Sequence, residues 1–150
     1  MIAPLLVLAV GNPSRGDDAL GPSFLARAAV ALADEIAAGR LELLTDFQLQ
    51  IEHALDLTGR ARVVFVDASV AAAPPFEFAP VAAARDRSAL THALSPAGVL
   101  AAHLGAFGPP PDAWVLAIRG AQFELGDDLS PAARAHLDAA VAFFVQFARA

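Results

Sequence analysis

Residues 5–10, LLVLAV, form a short apolar run that ends at the loop 11–21, GNPSRGDDALG. Uninterrupted apolar runs of this length are typical of strands that are buried on both faces of a parallel sheet. The loop contains glycines, a proline and two adjacent acids, and apolar residues recur at helical spacing after Pro22. This stretch therefore predicts a strand, a tight loop and a helix in succession.

The rest of the chain repeats the alternation of strands and helices. Further strands are predicted at 41–44, at 63–66 and at 114–118, with a short or edge strand around Phe76 and Phe78. Helices are predicted from Pro22 to Gly39, from an Asp46 cap to Gly59, from Ser95 to about His103, and from Ser130 onward. The alternation predicts a single α/β domain over residues 1–150, with a mainly parallel sheet and helices on both faces.

The composition excludes several classes of function. Hydrophobic residues make up 57% of the chain and charged residues 17%, which excludes intrinsic disorder. The absence of cysteine and of lysine removes thiol nucleophiles, thiolate metal sites, disulfides and lysine-based chemistry. The net charge of -6 argues against a nucleic-acid or membrane partner. We expect a cytoplasmic protein.

Acidic and imidazole side chains follow three of the predicted strands. Asp17 and Asp18 lie in the loop after the first strand, Asp67 ends the strand at 63–66, and His92 precedes the Ser95 helix. Because the carboxyl ends of parallel strands meet at one edge of a sheet, these groups are expected to converge there. One or two carboxylates and an imidazole suit a divalent ion such as Ni²⁺ or Zn²⁺ and leave coordination positions open.

Each of these residues also has a purely structural explanation. Adjacent acids favour a helix N-terminus, an aspartate after a strand commonly caps a turn, and His92 can be an ordinary loop histidine. From the residues alone, an α/β binding domain without a metal site therefore stays open.

The combined pattern resembles the hydrogenase maturation endopeptidases, which process the large subunit of nickel–iron hydrogenases. The resemblance extends over essentially the whole chain and implies a three-layer α/β/α sandwich with a twisted, mainly parallel sheet. The residues that carry it are Gly11-Asn12, Asp17-Asp18 and Gly21 after the first strand, Asp67-Ala68, Thr91-His92, Gly120-Ala121-Gln122, Gly126 and Leu129-Ser130-Pro131.

The resemblance implies that Asp18, Asp67 and His92 bind the metal and are the catalytic residues. Asp17 would organise the backbone rather than bind the ion. The implied activity is removal of a C-terminal extension from a nickel-loaded large-subunit precursor, by a monomeric enzyme. Nickel would arrive with the substrate, with zinc or cadmium as possible surrogates. The alternative is a non-cleaving nickel-checkpoint or chaperone domain that binds the same precursor.

The chain departs from the family pattern at two places. Ala19 stands where better-known members have glycine, which is tolerable if its φ is negative. The segment 46–53, DFQLQIEH, replaces an Asp-Gly-Gly motif, and a loop at the ligand edge is where partner choice is expected. Residues expected to contact the substrate are Asn12, Asp17, Phe47, Gln48 and Gln50.

Overall fold

A five-stranded sheet forms the centre of the protein, seen in a computed structural model that describes residues 1–85 and 94–150. The spatial order is β2-β1-β3-β5-β4. Strands β1, β2, β3 and β5 run parallel, and β4 pairs antiparallel with β5 at one edge. In chain order the strands are β1 (Leu5–Val10), β2 (Leu41–Asp46), β3 (Arg62–Ser69), β4 (Phe76–Pro80) and β5 (Asp112–Arg119).

Helices cover both faces of this sheet. Helices α1, α2 and α5 lie on one face, and α3 and α4 lie on the other. No helix among the described residues is long and apolar enough to cross a membrane. The helices are α1 (Leu20–Ala31), α2 (Ala33–Ala37), α3 (His53–Asp56), α4 (Pro96–Phe107) and α5 (Pro131–Arg149), and a short 3₁₀ helix spans Gly16–Ala19.

Strand β1 explains why the sheet needs helices on both sides. It lies between β2 and β3, and every residue of Leu5–Val10 is buried. Its odd-numbered side chains pack toward α1 and α5, and its even-numbered side chains pack toward α3 and α4. An uninterrupted apolar run is required because alternate side chains enter two different cores. The predicted three-layer α/β/α class is confirmed.

The first helical segment differs from its prediction at its start and in its middle. Helix α1 begins at Leu20, so Pro22 lies within the first turn, where its missing N–H breaks no helical hydrogen bond. Leu32 leaves helical geometry with φ −115° and separates α1 from α2. Gly39 follows α2 with φ +76°, as expected of the residue that ends a helix.

The segment after β2 was predicted incorrectly as a capped helix. Asp46 is the last residue of β2, and its Oδ1 accepts a hydrogen bond from the amide of Phe47 at 2.7 Å. Residues 47–52 form a loop, and the helix that follows, α3, has only four residues. The predicted edge strand is confirmed as β4, and α4 extends to Phe107, beyond its predicted end near His103.

Candidate functional site

The loop after β1 folds back tightly and carries Asp17 and Asp18 to the carboxyl edge of the sheet. Gly11 has φ +146°, and a Cβ atom at this position would collide with the carbonyl oxygen of Asp18. A Cβ atom at Gly21 would likewise collide with the carbonyl oxygen of Val10. Glycine is therefore required at both ends of the motif, since each position allows one backbone segment to lie directly against another.

Asp18 and Asp67 line the same cleft, which we call the carboxylate cleft. It has a volume of about 240 Å³, and apolar side chains of β1, β3 and β5 form its floor. Phe47 and Gln48 from the loop after β2 line it, as does Ser95 at the start of α4. The structure therefore brings together two of the three predicted metal ligands and two of the predicted substrate contacts.

Each of these two carboxylates uses one oxygen on a backbone amide and leaves the other available. Oδ2 of Asp18 accepts a hydrogen bond from the amide of Asn12 at 2.8 Å. Oδ1 of Asp67 accepts one from the amide of Ala68, also at 2.8 Å. Within residues 1–85 and 94–150, the second oxygen of each carboxylate has no hydrogen-bond partner. Each aspartate can therefore present one oxygen to a ligand in the cleft.

The pKa of Asp67 is raised to about 6. Protein atoms around the carboxylate displace water and disfavour its charged form, although part of the residue is exposed at the mouth of the cleft. The hydrogen bond from Ala68 lowers the pKa, and the negative charge of Asp18 raises it further. Two like charges in a partly dehydrated cleft repel each other, and a bound cation would relieve this repulsion.

The donor set fits part of the predicted metal site. Carboxylate oxygens are suitable ligands for Zn²⁺ and other divalent ions. In the part of the chain that the structure describes, no three His, Cys, Asp or Glu side chains are grouped to hold an ion. His92, the third predicted ligand, lies outside the described residues. Asp18 and Asp67 thus place two carboxylates in one cleft.

Asp17 has a different environment from its neighbour. It is fully buried, and its carboxylate accepts hydrogen bonds from the amides of Ala121, Gln122 and Ser130 and from the Ser130 hydroxyl, at 2.8 to 3.1 Å. Burial by itself raises the pKa of Asp17, but the four hydrogen bonds together outweigh it, and the net pKa is lowered. The structure places this carboxylate inside the protein rather than on the surface predicted for substrate contact.

Backbone hydrogen bonds reinforce this junction between the loop after β1 and the segment after β5. The amide of Asp17 donates to the carbonyl of Gln122 at 2.6 Å, and the amide of Gly126 donates to the carbonyl of Ser14 at 2.7 Å. The Ser130 hydroxyl also accepts a hydrogen bond from the amide of Ala133 and so caps α5. The sequence indicated Ser130 as a helix cap and as part of a motif shared with the family, but neither indication identified its bond to Asp17.

Asn12 supports the loop from within. Its amide holds Asp18, and its side-chain Oδ1 accepts a hydrogen bond from the amide of Ser14 at 2.9 Å. Asn12 does not line the carboxylate cleft, although it was predicted to contact the substrate. Ala19 has φ −74°, a conformation open to every residue, so alanine is accommodated where glycine was expected.

Comparison with known proteins finds similarity in structure. No family model matches the chain, and no curated protein matches it. Solved structures do match. The chain is similar to the hydrogenase maturating endopeptidase HybD from E. coli, with a TM-score of 0.70 and 21% identity over 99% of this chain and 93% of that chain. It is also similar to the [NiFe] hydrogenase maturation protease HycI from Thermococcus kodakarensis, with a TM-score of 0.68 and 18% identity over 99% and 94%. For the maturation protease HybD from the same organism, the TM-score is 0.67 and the identity 20% over 99% of both chains.

The chain has the fold of the hydrogenase maturation endopeptidases. The alignments span nearly the whole of both chains, so the likeness includes the complete sheet and the helices on both faces. The resemblance inferred from the sequence motifs is confirmed as a likeness of fold. In this endopeptidase fold, the carboxylate cleft lies at the carboxyl edge of the parallel strands, where open α/β sheets bind their ligands.

The loop 47–52 borders this cleft in a fixed conformation. Leu49 is buried, and its carbonyl accepts a hydrogen bond from the amide of Leu94 at 3.1 Å. The amide of Gln50 donates to Nδ1 of the buried His53 at 2.8 Å, and Nε2 of His53 lies 3.4 Å from Oδ2 of Asp46. Gln50, predicted as a substrate contact, lines an adjoining hollow rather than the cleft itself.

Proposed function

We propose that this protein is an endopeptidase that removes the C-terminal extension of a nickel-loaded nickel–iron hydrogenase large-subunit precursor. One observation carries the proposal. In a chain with the maturation-endopeptidase fold, Asp18 from the short 3₁₀ helix after β1 and Asp67 near the end of β3 line the same cleft, and each has one oxygen without a hydrogen-bond partner among the described residues. The names of the structurally similar proteins support a peptidase.

The nickel ion belongs to the substrate in this proposal. An ion of this kind polarises the carbonyl to be cleaved or lowers the pKa of a bound water. Asp18 and Asp67 hold the ion through their available oxygens, and by resemblance His92 is the third ligand. The apolar floor of the cleft limits the access of water and strengthens the attraction between the carboxylates and the ion.

Water is the proposed nucleophile. The chain has no cysteine, and Ser95, the residue with a hydroxyl group in the cleft, uses its Oγ to accept a hydrogen bond from the amide of Gly98 as the cap of α4. A serine whose hydroxyl caps a helix in this way has a structural role there, and the proposal therefore assigns the attack to water.

The proposal includes a check on the metal content of the precursor. Two carboxylates with one imidazole and no thiolate bind an ion weakly unless other ligands complete the coordination. The nickel ligands of the precursor would supply the rest, so that only a nickel-loaded precursor is held in the cleft. A precursor without nickel would leave the repulsion between Asp18 and Asp67 unrelieved.

The test mixes the purified protein with nickel-loaded or nickel-free full-length precursor and follows the precursor by mass spectrometry. We expect loss of the C-terminal extension from the nickel-loaded form alone. Asp18→Asn and Asp67→Asn each remove a charge but retain an oxygen that can accept the existing backbone hydrogen bond. Both variants should trim the precursor about a hundredfold more slowly than the wild type.

Asp34→Asn is the matched control, because Asp34 is an exposed acid on α2, away from the cleft. It should trim at the wild-type rate. Equal trimming of metal-free precursor by chelator-treated protein would refute the metal check. Binding of the nickel-loaded precursor with no change in its mass would replace the endopeptidase by the non-cleaving checkpoint domain.

A further inference from the structure

Three large apolar side chains are exposed next to the carboxylate cleft. Phe47, Ile51 and Leu55 are 68%, 65% and 63% exposed, and we call them the apolar strip. They lie on the loop 47–52 and on the short helix α3 that follows it. Single exposed apolar residues are common, but a series of them on one short segment marks a surface for a partner.

The exposure of the strip is imposed by a backbone that is fixed from inside. Leu49, Ala54 and Leu57 of the same segment are almost fully buried. The carbonyl of Ala54 lies 2.9 Å from Nδ1 of the buried His103 on α4. Because these neighbours are anchored in the core, the strip residues cannot turn inward without breaking that packing.

The strip continues the carboxylate cleft. A second hollow of about 370 Å³ lies beside the cleft and is lined by Ile51, Gln50 and Glu52. Gln48 and Leu94 line both concavities, so the two form one continuous groove. The groove begins at Asp18 and Asp67, passes Phe47 and ends at Ile51. Leu55 follows Ile51 by four residues, on α3, and is also exposed.

We propose that this groove binds an apolar segment of the precursor polypeptide next to the bond that is cleaved, with Ile51 and Leu55 as its outer contacts. This inference rests on the proposed function, since a polypeptide held in the cleft must continue across the adjoining surface. The three strip side chains are hydrocarbon and exposed, which favours an apolar occupant, while Gln50 and Glu52 add polar atoms to the hollow beside them. Burial of such surface, rather than ion pairing, supplies the affinity.

The experiment measures KM and kcat for trimming of nickel-loaded precursor by the double variant Ile51→Ser/Leu55→Ser. We expect KM to rise on the order of tenfold with kcat unchanged, because the lost contacts bind the substrate away from the reacting bond. The single variant Ile51→Leu keeps the apolar surface, and its KM should equal that of the wild type. Val30→Ser is the matched control, since Val30 is 82% exposed on α1 on the opposite face of the sheet, and its KM should not change.

The outcomes separate this inference from the proposed function. If the wild type trims the precursor and the double variant has the same KM, the strip is not a substrate surface, although the endopeptidase stands. If the wild type binds the precursor without trimming it, the endopeptidase is refuted, and a tenfold weaker Kd of the double variant still supports the groove.

Absence of both binding and trimming refutes both proposals. A second copy of this chain is the rival occupant of the strip. Sedimentation of the wild type and of the double variant tests whether the protein associates with itself through these residues. Self-association that the double variant loses, with an unchanged KM for the precursor, would assign the strip to a dimer and overturn the inference.

Discussion

The substitution Asp17→Asn tests whether a buried carboxylate holds the loop that presents Asp18. In the wild type, Oδ2 accepts hydrogen bonds from the amides of Ala121 and Gln122 and from the hydroxyl of Ser130, and Oδ1 accepts one from the amide of Ser130. Asparagine has only one acceptor oxygen. If that oxygen takes the Oδ2 position, the Nδ2 group faces the N–H of Ser130, and two donors meet without an acceptor.

The expected loss of stability follows from these contacts. A hydrogen bond to a charged group contributes about 1.5–3 kcal/mol, and a buried donor left unsatisfied costs about 1–3 kcal/mol. One bond is lost, the Ser130 N–H and the new Nδ2 group are left facing each other without an acceptor, and the three remaining bonds lose the charge that strengthens them. We therefore expect Asp17→Asn to lower the free energy of unfolding by about 3–5 kcal/mol at pH 7.

The same carboxylate predicts a dependence on pH. Its pKa in the folded protein is below the ordinary value of 3.8, so the folded state binds the proton less readily than the unfolded state. The stabilisation is therefore complete above the unfolded pKa and is lost as the pH falls through the folded pKa. The difference in unfolding free energy between wild type and Asp17→Asn should shrink below about pH 4.

Urea unfolding followed by circular dichroism, at pH 7 and at steps down to pH 3, measures both effects. The slope of unfolding free energy against urea should be the same for the two proteins, which shows that the comparison is between similar folded and unfolded states. Asp34→Asn, at an exposed position, should stay within about 0.5 kcal/mol of the wild type. A loss of less than about 1 kcal/mol in Asp17→Asn would refute the reasoning, because four buried hydrogen bonds cannot then depend on the charge.

Three further predictions concern the same edge of the sheet. Ser130→Ala removes both a hydrogen-bond donor to Asp17 and the cap of α5, so it should lower the free energy of unfolding by about 2 kcal/mol in the same urea assay. An unchanged urea midpoint would contradict this role of Ser130. The double variant Phe47→Ala/Gln48→Ala should bind the nickel-loaded precursor about tenfold more weakly in calorimetry, with a nearly unchanged affinity for Zn²⁺. Equal losses of precursor affinity and Zn²⁺ affinity would contradict a role limited to partner contact. The purified protein should carry little metal by mass spectrometry of the native protein, because in the proposed function the substrate supplies ligands that Asp18 and Asp67 lack. A stoichiometric bound ion would contradict this.

The strands of this protein could be predicted from the sequence because their burial has a local signature. Leu5–Val10 is apolar without interruption, as a strand covered on both faces must be, and Arg62–Ser69 contains the β-branched run that marked it as a strand. Asp18 and Asp67 could be placed at one edge for the same reason, since parallel strands bring their carboxyl ends together. Local patterns were sufficient wherever the fold requires a pattern of burial along a single element.

The segment after β2 could not be predicted because its apolar residues do not share one environment. Leu49, Ile51, Ala54 and Leu55 have a spacing that suggests the buried face of a helix, yet Leu49 and Ala54 are buried while Ile51 and Leu55 are exposed. Hydrogen bonds to Leu94 and His103 hold this segment, and both residues lie about forty to fifty positions later in the chain. Local spacing carries no information about such anchors.

The environments of the two adjacent aspartates were decided by tertiary structure alone. The amides that hold Asp17 lie 104 to 113 residues further along the chain, in the segment that follows β5. The sequence alone determined that two acids follow β1, and the motif implied that only the second binds the ion. Folding separates them physically, because one carboxylate meets four donors in the interior while its neighbour keeps an oxygen open to the cleft.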